Sequence, residues 1–354
     1  MSAQSYTEAI NLLKELIAIP SFSREEHNTA GAITKFFGIK GIEHARIANN
    51  VFARNKHYDE SKPTILLNSH HDTVKPNSGY TLDPFSPVER EGKLFGLGSN
   101  DAGGSLVSLI ATFLHYYDKP SLKYNLIIAA TAEEEISGPN GIEKILPDLG
   151  KISFAIVGEP TKMQMAIAEK GLLVLDCIAN GKAGHAARNE GDNAIYKALK
   201  DIQWFSTYQF AKVSSLLGPV KMSVTVINSE NKAHNVVPAQ CNFVTDIRVN
   251  ELYDFEEVLS EIRKNVQSDI KPRSLRMRSS LIREDHPLVQ SGLRMGRTCY
   301  GSPTTSDKAL MPFPALKMGP GDSARSHTAD EYIFTSEIEE GIGLYIELLK
   351  NVVY

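Results

Sequence analysis

Cysteine is scarce in this chain. Cys177, Cys241 and Cys299 are the only three, far apart and without Cys-x-x-Cys spacing. A thiolate zinc site is therefore not expected, and the cysteines read as reduced, buried thiols of a cytoplasmic protein. Long apolar runs are also lacking. No stretch of about 18 apolar residues occurs, so no transmembrane helix is expected and no membrane partner. The start, Met1-Ser2-Ala3-Gln4-Ser5, lacks a basic segment followed by an apolar one, so no signal peptide is expected. A basic excess is missing too: the net charge is −4, which gives no electrostatic reason to bind nucleic acid. There is no internal repeat, low-complexity segment or long linker. What remains is an ordinary globular composition, 42% hydrophobic and 23% charged, over 354 residues, long enough for two domains.

The apolar pattern divides the chain into elements. Ile10, Leu13, Leu16 and Ile17 share one helical face, and Pro20 stops the run. Further helices are expected over about 25–38, 104–117, 139–146, 287–298 and 335–350. Residues 51–54, 64–68, 126–130, 154–157 and 315–318 read as strands. Ile65-Leu66-Leu67 and Leu126-Ile127-Ile128-Ala129-Ala130 are continuous apolar runs, as in strands buried on both faces. Strands alternating with helices imply a layered α/β domain with a mostly parallel sheet. From about residue 165 the order changes to strand 172–179, helix 192–211, strands 222–227 and 240–249, helix 255–266 and strand 275–280. That is a split β-α-β plan, ferredoxin-like, a four-stranded sheet with two helices on one face. The expected organisation is thus a domain of residues 1–164 and 273–354 interrupted by an α+β insert at 165–272.

Five segments carry candidate chemistry: His70-His71-Asp72, Asp101 in a Gly-rich turn, Glu133-Glu134-Glu135, Glu159 in Gly158-Glu159-Pro160-Thr161, and His327. Several follow predicted strands directly, and open α/β sheets gather ligands where strands end. His, Asp and Glu converging on one rim suit a pair of zinc ions. Each residue also has a plain explanation. Asp101 before a helix reads as an N-cap, a Glu run after a strand as a solvated loop, and a lone His327 as unremarkable. Three adjacent carboxylates after a buried strand, however, repel one another, and burying any of them demands a cation.

Taken in order, these segments resemble the zinc-dependent aminoacylase and carboxypeptidase family, in the branch of acetylornithine deacetylase and succinyl-diaminopimelate desuccinylase. The resemblance covers essentially the whole chain, down to the Asp330-Glu331-Tyr332-Ile333 tail. It implies one zinc held by His70, Asp101 and Glu159 and a second by Asp101, Glu135 and His327, with cobalt or manganese as possible substitutes. Two Zn²⁺ are balanced by three carboxylates and a hydroxide. Asp72 would orient His70, and Glu134 would be the general acid and base. In the insert, His185 would reach the substrate carbonyl oxygen, in several relatives from the partner subunit, and Asn235 and Arg248 would bind substrate, Arg248 through its α-carboxylate. The insert would act as a lid and dimerisation domain of a homodimer. The implied activity is hydrolysis of a small-molecule N-acyl-L-amino acid: N-acetyl- or N-succinyl-ornithine or -citrulline in arginine synthesis. The alternatives are succinyl-diaminopimelate, or a catalytically silent metal-binding relative. A desuccinylase would need a cation for the distal carboxylate, and Lys182, Arg188, Arg325 and Lys308 are the candidates. Departures from the family pattern are Glu133 in place of an Asp, Asp101-Ala102-Gly103-Gly104 without the usual lysine, and His71, expected to pack rather than ligate.

Overall fold

The computed structural model describes residues 3–354. They form two compact units. The first comprises the chain up to Ile167 with Ile282–Tyr300 and Ser306–Tyr354. The second comprises Ala168–Leu281 with Gly301–Thr305.

The first unit is built on a mixed sheet. Its strands run in the order His44–Ile47, Asn50–Arg54, Asn125–Thr131, Thr64–His70, Phe154–Val157, Ala315–Lys317 and Met165–Glu169. The four middle strands, Asn125–Thr131 to Ala315–Lys317, are mutually parallel, and the flanking pairs are antiparallel. The apolar runs explain the parallel centre. Ile65, Leu66, Leu67, Leu126, Ile127 and Ile128 are all fully buried, so both faces of these strands are covered. Leu66 and Ile127 pack with Ile142, Ile145 and Leu149 of the helix Ile142–Leu149 on one face. The opposite face meets the helix Gly104–Tyr116, which itself packs on Ala3–Ile17 and Thr335–Val353. Among the described residues no helix is long and apolar enough to cross a membrane.

The second unit has a four-stranded antiparallel sheet ordered Lys221–Asn228, Gln240–Val249, Gly171–Asn180, Asp269–Pro272. Helices Ala194–Thr207 and Phe255–Asn265 supply Ala198, Phe205, Val258, Leu259 and Ile262 to its core. This is the β-α-β-β-α-β order. The expected last strand at 275–280 is not there. Asp269–Pro272 takes that place, and only Ser280–Leu281 is extended, pairing with Glu169 and Ala168. The alternation of Leu275 and Met277 imitates a strand, whereas the real edge strand is short, polar and ends in a proline, as edges tolerate.

Candidate active site

Three adjacent parallel strands end at one rim. His70 closes Thr64–His70, the Glu133–Glu135 run follows Asn125–Thr131, and Glu159 lies two residues beyond Phe154–Val157. Asp101 sits in the turn Ser99–Gly103, immediately before the helix Gly104–Tyr116, and the Asp101–Ala102 peptide bond is cis. The turn depends on Gly98, whose φ is +76° and whose Cβ, if present, would lie 2.6 Å from Thr73 Cγ2. The N-cap positions of this turn and of the helix are Gly98 and Gly103, so Asp101 occupies neither. Its carboxylate turns instead toward the strand ends.

There the donor atoms fall into two trios that share Asp101. One is His70, Asp101 and Glu159; the other is Asp101, Glu135 and His327. Within each, one ligand atom per residue lies within 4.8 Å of the others. His70 Nε2 is 3.3 Å from Asp101 Oδ1, 3.8 Å from Glu159 Oε1 and 3.9 Å from Glu134 Oε2. His327 Nε2 is 3.0 Å from Glu135 Oε2 and 3.7 Å from Asp101 Oδ2.

The tautomer of His70 follows from its surroundings. Nδ1 lies 2.9 Å from the Asp72 carbonyl oxygen, which can only accept, so Nδ1 carries the proton. In the neutral ring Nε2 is then a lone pair. It is buried and has no hydrogen-bond partner among the described residues. A buried lone pair facing three carboxylates has nothing to bind except a proton or a cation. The donor set therefore fits divalent metal at both positions. The charges agree. Burial disfavours a charged His70, yet Asp101 and Asp72, with Glu134 and Glu159 behind them, raise its pKa well above the usual histidine value. Burial likewise lifts Glu134 well above the usual carboxylate range, helped by Glu159, Asp307 and Glu135, and lifts Glu135 as well. The hydrogen bond to Glu135 raises His327 to about 9.

Asp72 does more than orient His70. Its carboxylate is 3.5 Å from Nδ1, while its oxygens accept the N–H groups of Glu134 at 3.0 Å and Glu135 at 3.2 Å and the Ser23 hydroxyl at 2.7 Å. It thus ties the His70 strand end to the glutamate run. Glu133 enters that run at φ +54°, is buried, and accepts from the backbone and side chain of Asn140. His71 is buried, with Nε2 donating to the Asn49 carbonyl and Nδ1 beside the Thr29 hydroxyl, and burial lowers its pKa to about 4. It packs as a neutral ring.

Asp307 is a buried carboxylate that sequence reasoning overlooks. Nothing in Ser306-Asp307-Lys308 marks it. Its Oδ2 accepts from Asn68 Nδ2 at 2.9 Å and Thr131 Oγ1 at 2.8 Å, joining the two central strands just before the site. Burial pushes its pKa up to about 6 from 3.8. A carboxyl raised on folding binds more protons folded than unfolded. Its stabilising effect is thus complete below about pH 4 and lost as pH rises through about 6, a change of roughly 3 kcal/mol. Asp307→Asn keeps an acceptor oxygen without the charge. In metal-stripped protein the variant should lose that fall in stability between pH 4 and 6, as read by denaturant unfolding. An unchanged pH profile would contradict the assignment.

The candidates for substrate binding, His185, Asn235 and Arg248, lie in the second unit. His185 is exposed on the two-residue strand Gly184–His185, paired with Val236–Val237, and its Nδ1 accepts the Ala187 N–H at 3.1 Å. The Asn235 carbonyl accepts from Ala186 at 2.9 Å, which brings Asn235 beside the His185 segment. Arg248 forms a two-pronged hydrogen bond to Asp246 on its own strand, at 2.8 and 3.0 Å. Two of the distal-carboxylate candidates are already engaged. Lys308 is buried, donating to the Ala166 and Ile167 carbonyls, and Arg325 grips Glu337 at 2.6 and 2.9 Å. Arg188 is exposed near Glu190, and the Lys182 backbone pairs with Asp192.

Residues 66–351 match Peptidase family M20/M25/M40. The chain is 24% identical to succinyl-diaminopimelate desuccinylase 2 of Ruegeria sp. (strain TM1040), covering 99% of this chain and 96% of that protein. It is 30% identical to the acetylornithine deacetylase of Proteus mirabilis, covering 81% and 79%. Its fold resembles the YXEP protein of Bacillus subtilis, described as a dinuclear metal binding peptidase from the M20 family. The TM-score there is 0.75 at 17% identity, with 99% of each chain covered. This chain belongs to the peptidase M20/M25/M40 family. It is accordingly a metallohydrolase.

Proposed function

We propose that the protein hydrolyses the amide bond of an N-acyl-L-amino acid, with N-acetyl- or N-succinyl-ornithine or -citrulline as the leading substrates. The single observation that carries this reading is the pair of donor trios sharing Asp101, with Glu134 alongside. His70, Asp101 and Glu159 would hold one divalent cation and Asp101, Glu135 and His327 the other. Zinc is the expected metal, and cobalt or manganese would suit the same donors. When bound, two such cations polarise an acyl oxygen and acidify a water.

The rest is done by the protein's own side chains. Glu134 keeps a high proton affinity through desolvation first, and then through the nearby carboxylates of Glu159, Asp307 and Glu135. It takes the proton of the attacking water at a carboxylate oxygen and returns it to the departing amine nitrogen. Asp72 fixes the Glu134 and Glu135 backbone while its carbonyl holds the His70 ring. His185 would donate to the acyl oxygen, and Arg248, released from Asp246, would take the α-carboxylate, with Asn235 lining the same segment.

A homodimer through the second unit is part of this reading. Lys221–Asn228 is an edge strand, and Val226 and Ile227 on it are each 53% exposed, which favours pairing with a second copy. A succinyl-diaminopimelate desuccinylase is the second reading, favoured by the name that one of the relatives carries.

The test is amine release by zinc- or cobalt-loaded protein from a panel of N-acetyl- and N-succinyl-ornithine, the matching citrullines, succinyl-diaminopimelate and a few dipeptides. Preference for an acyl-ornithine or acyl-citrulline supports the leading reading. Preference for succinyl-diaminopimelate or for dipeptides replaces it.

A further inference from the structure

The turn that carries Asp101 and the loop that carries His327 are held by a second set of residues. Glu331 is 2% exposed, and both of its oxygens face backbone N–H groups of the turn. Oε1 accepts from Asn100 at 2.8 Å and from Asp101 at 2.9 Å, and Oε2 accepts from Gly98 at 3.2 Å. The Glu331 carbonyl accepts the Gly96 N–H at 3.0 Å. Asn100 reaches in the other direction. Its Oδ1 accepts from the Asp322 N–H at 3.0 Å, and its Nδ2 donates to the Asp322 carbonyl at 3.1 Å and to Ser326 Oγ at 3.3 Å. Asp322 and Ser326 flank the short turn that leads into His327.

We propose that Glu331 is a positioning residue for the cation position formed by Asp101, Glu135 and His327. Two of those three ligands hang from the Glu331–Asn100 network. In the other trio only Asp101 hangs from it, since His70 ends a central strand and Glu159 follows one. Buried N–H groups must find acceptors, and only a carboxylate offers an acceptor on both sides of its fork. In Glu331→Gln one oxygen becomes an amide NH₂ that faces an N–H, so the turn must shift. The shift changes the 3.7 Å between Asp101 Oδ2 and His327 Nε2 and, through the shared Asp101, the 3.3 Å to His70 Nε2. The strand-borne donors stay where they are. The inference rests on the two-cation reading of the site and not on the identity of the substrate.

Cobalt titration of the full chain tests this, with uptake followed by visible absorbance and by metal analysis after dialysis. Wild type should take up two equivalents. Glu331→Gln should bind the equivalent at Asp101, Glu135 and His327 about 10–100-fold more weakly, the usual loss when a ligand's supporting partner is removed. The other should weaken by clearly less, because two of its three donors are carried by strands. Saturating cobalt should restore its hydrolysis, which it should not do for Glu134→Gln. If Glu331→Gln does not fold, Asn100→Ala, which cuts the links to Asp322 and Ser326, should give the same selective loss. Equal weakening of both positions overturns the proposal, as do unchanged affinities with only a lowered melting temperature. Wild type that binds fewer than two equivalents overturns it together with the two-cation reading. Wild type that binds two yet cleaves nothing in the panel removes the substrate reading alone.

Discussion

Glutamine at position 134 should leave both cation positions filled and remove turnover. Glu134 lies outside the two ligand trios, with Oε2 3.9 Å from His70 Nε2. Its backbone is set by Asp72, which the substitution does not touch. The amide keeps the size of the carboxyl but cannot accept and return a proton near neutral pH. Loss of a positioned general acid and base costs about 10²–10⁴-fold in rate, and more when the same group acts in both halves of the reaction. The fall should appear in kcat, while metal analysis still finds two equivalents. Residual activity near wild type would remove Glu134 from the mechanism. Loss of a cation would recast it as a ligand.

Alanine at position 101 should have the opposite signature. Asp101 gives one oxygen to each trio, at 3.3 Å from His70 Nε2 and 3.7 Å from His327 Nε2. Its removal leaves His70 with Glu159 on one side and Glu135 with His327 on the other, two donors each. Both equivalents should weaken by more than the roughly 10–100-fold expected from loss of an outer partner, and hydrolysis should vanish with them. His327→Ala should weaken one equivalent only. A variant Asp101→Ala that binds two cations normally and loses only about 1 kcal/mol of stability would return Asp101 to the role of a helix cap.

The parts of the fold legible in the sequence are those whose pattern is local. Leu126-Ile127-Ile128-Ala129-Ala130 announces a strand covered on both faces because every residue is apolar, and the structure buries each one. The short strands Val88–Arg90, Lys93–Phe95 and Tyr332–Phe334 announce nothing, since three residues cannot display a period. Leu275 and Met277 show a period without a partner strand to use it. His70, the Glu133–Glu135 run and Glu159 stand out because His and Glu beside buried strands are chemically out of place, whereas Asp101 and His327 take their meaning as ligands from the family resemblance. Asp307 and Glu331 were not readable as supports. Their meaning comes from Asn68, Thr131 and the turn at 98–101, which lie more than 170 residues away along the chain in every case.

The order of the ligands along the chain decides when the two trios can be completed during synthesis. His70, Asp101 and Glu159 are all in hand once the first parallel strands have been made. His327 arrives only after the whole second unit, and after Ala315–Lys317 has slotted in beside Phe154–Val157. Domains fold as units while the chain emerges. The first unit includes Ile282–Tyr300 and Ser306–Tyr354, and Asp101 hangs from Glu331, so neither proposed cation position would be finished on a nascent chain that lacks its last segment. A filled site would report that the last segment has come home.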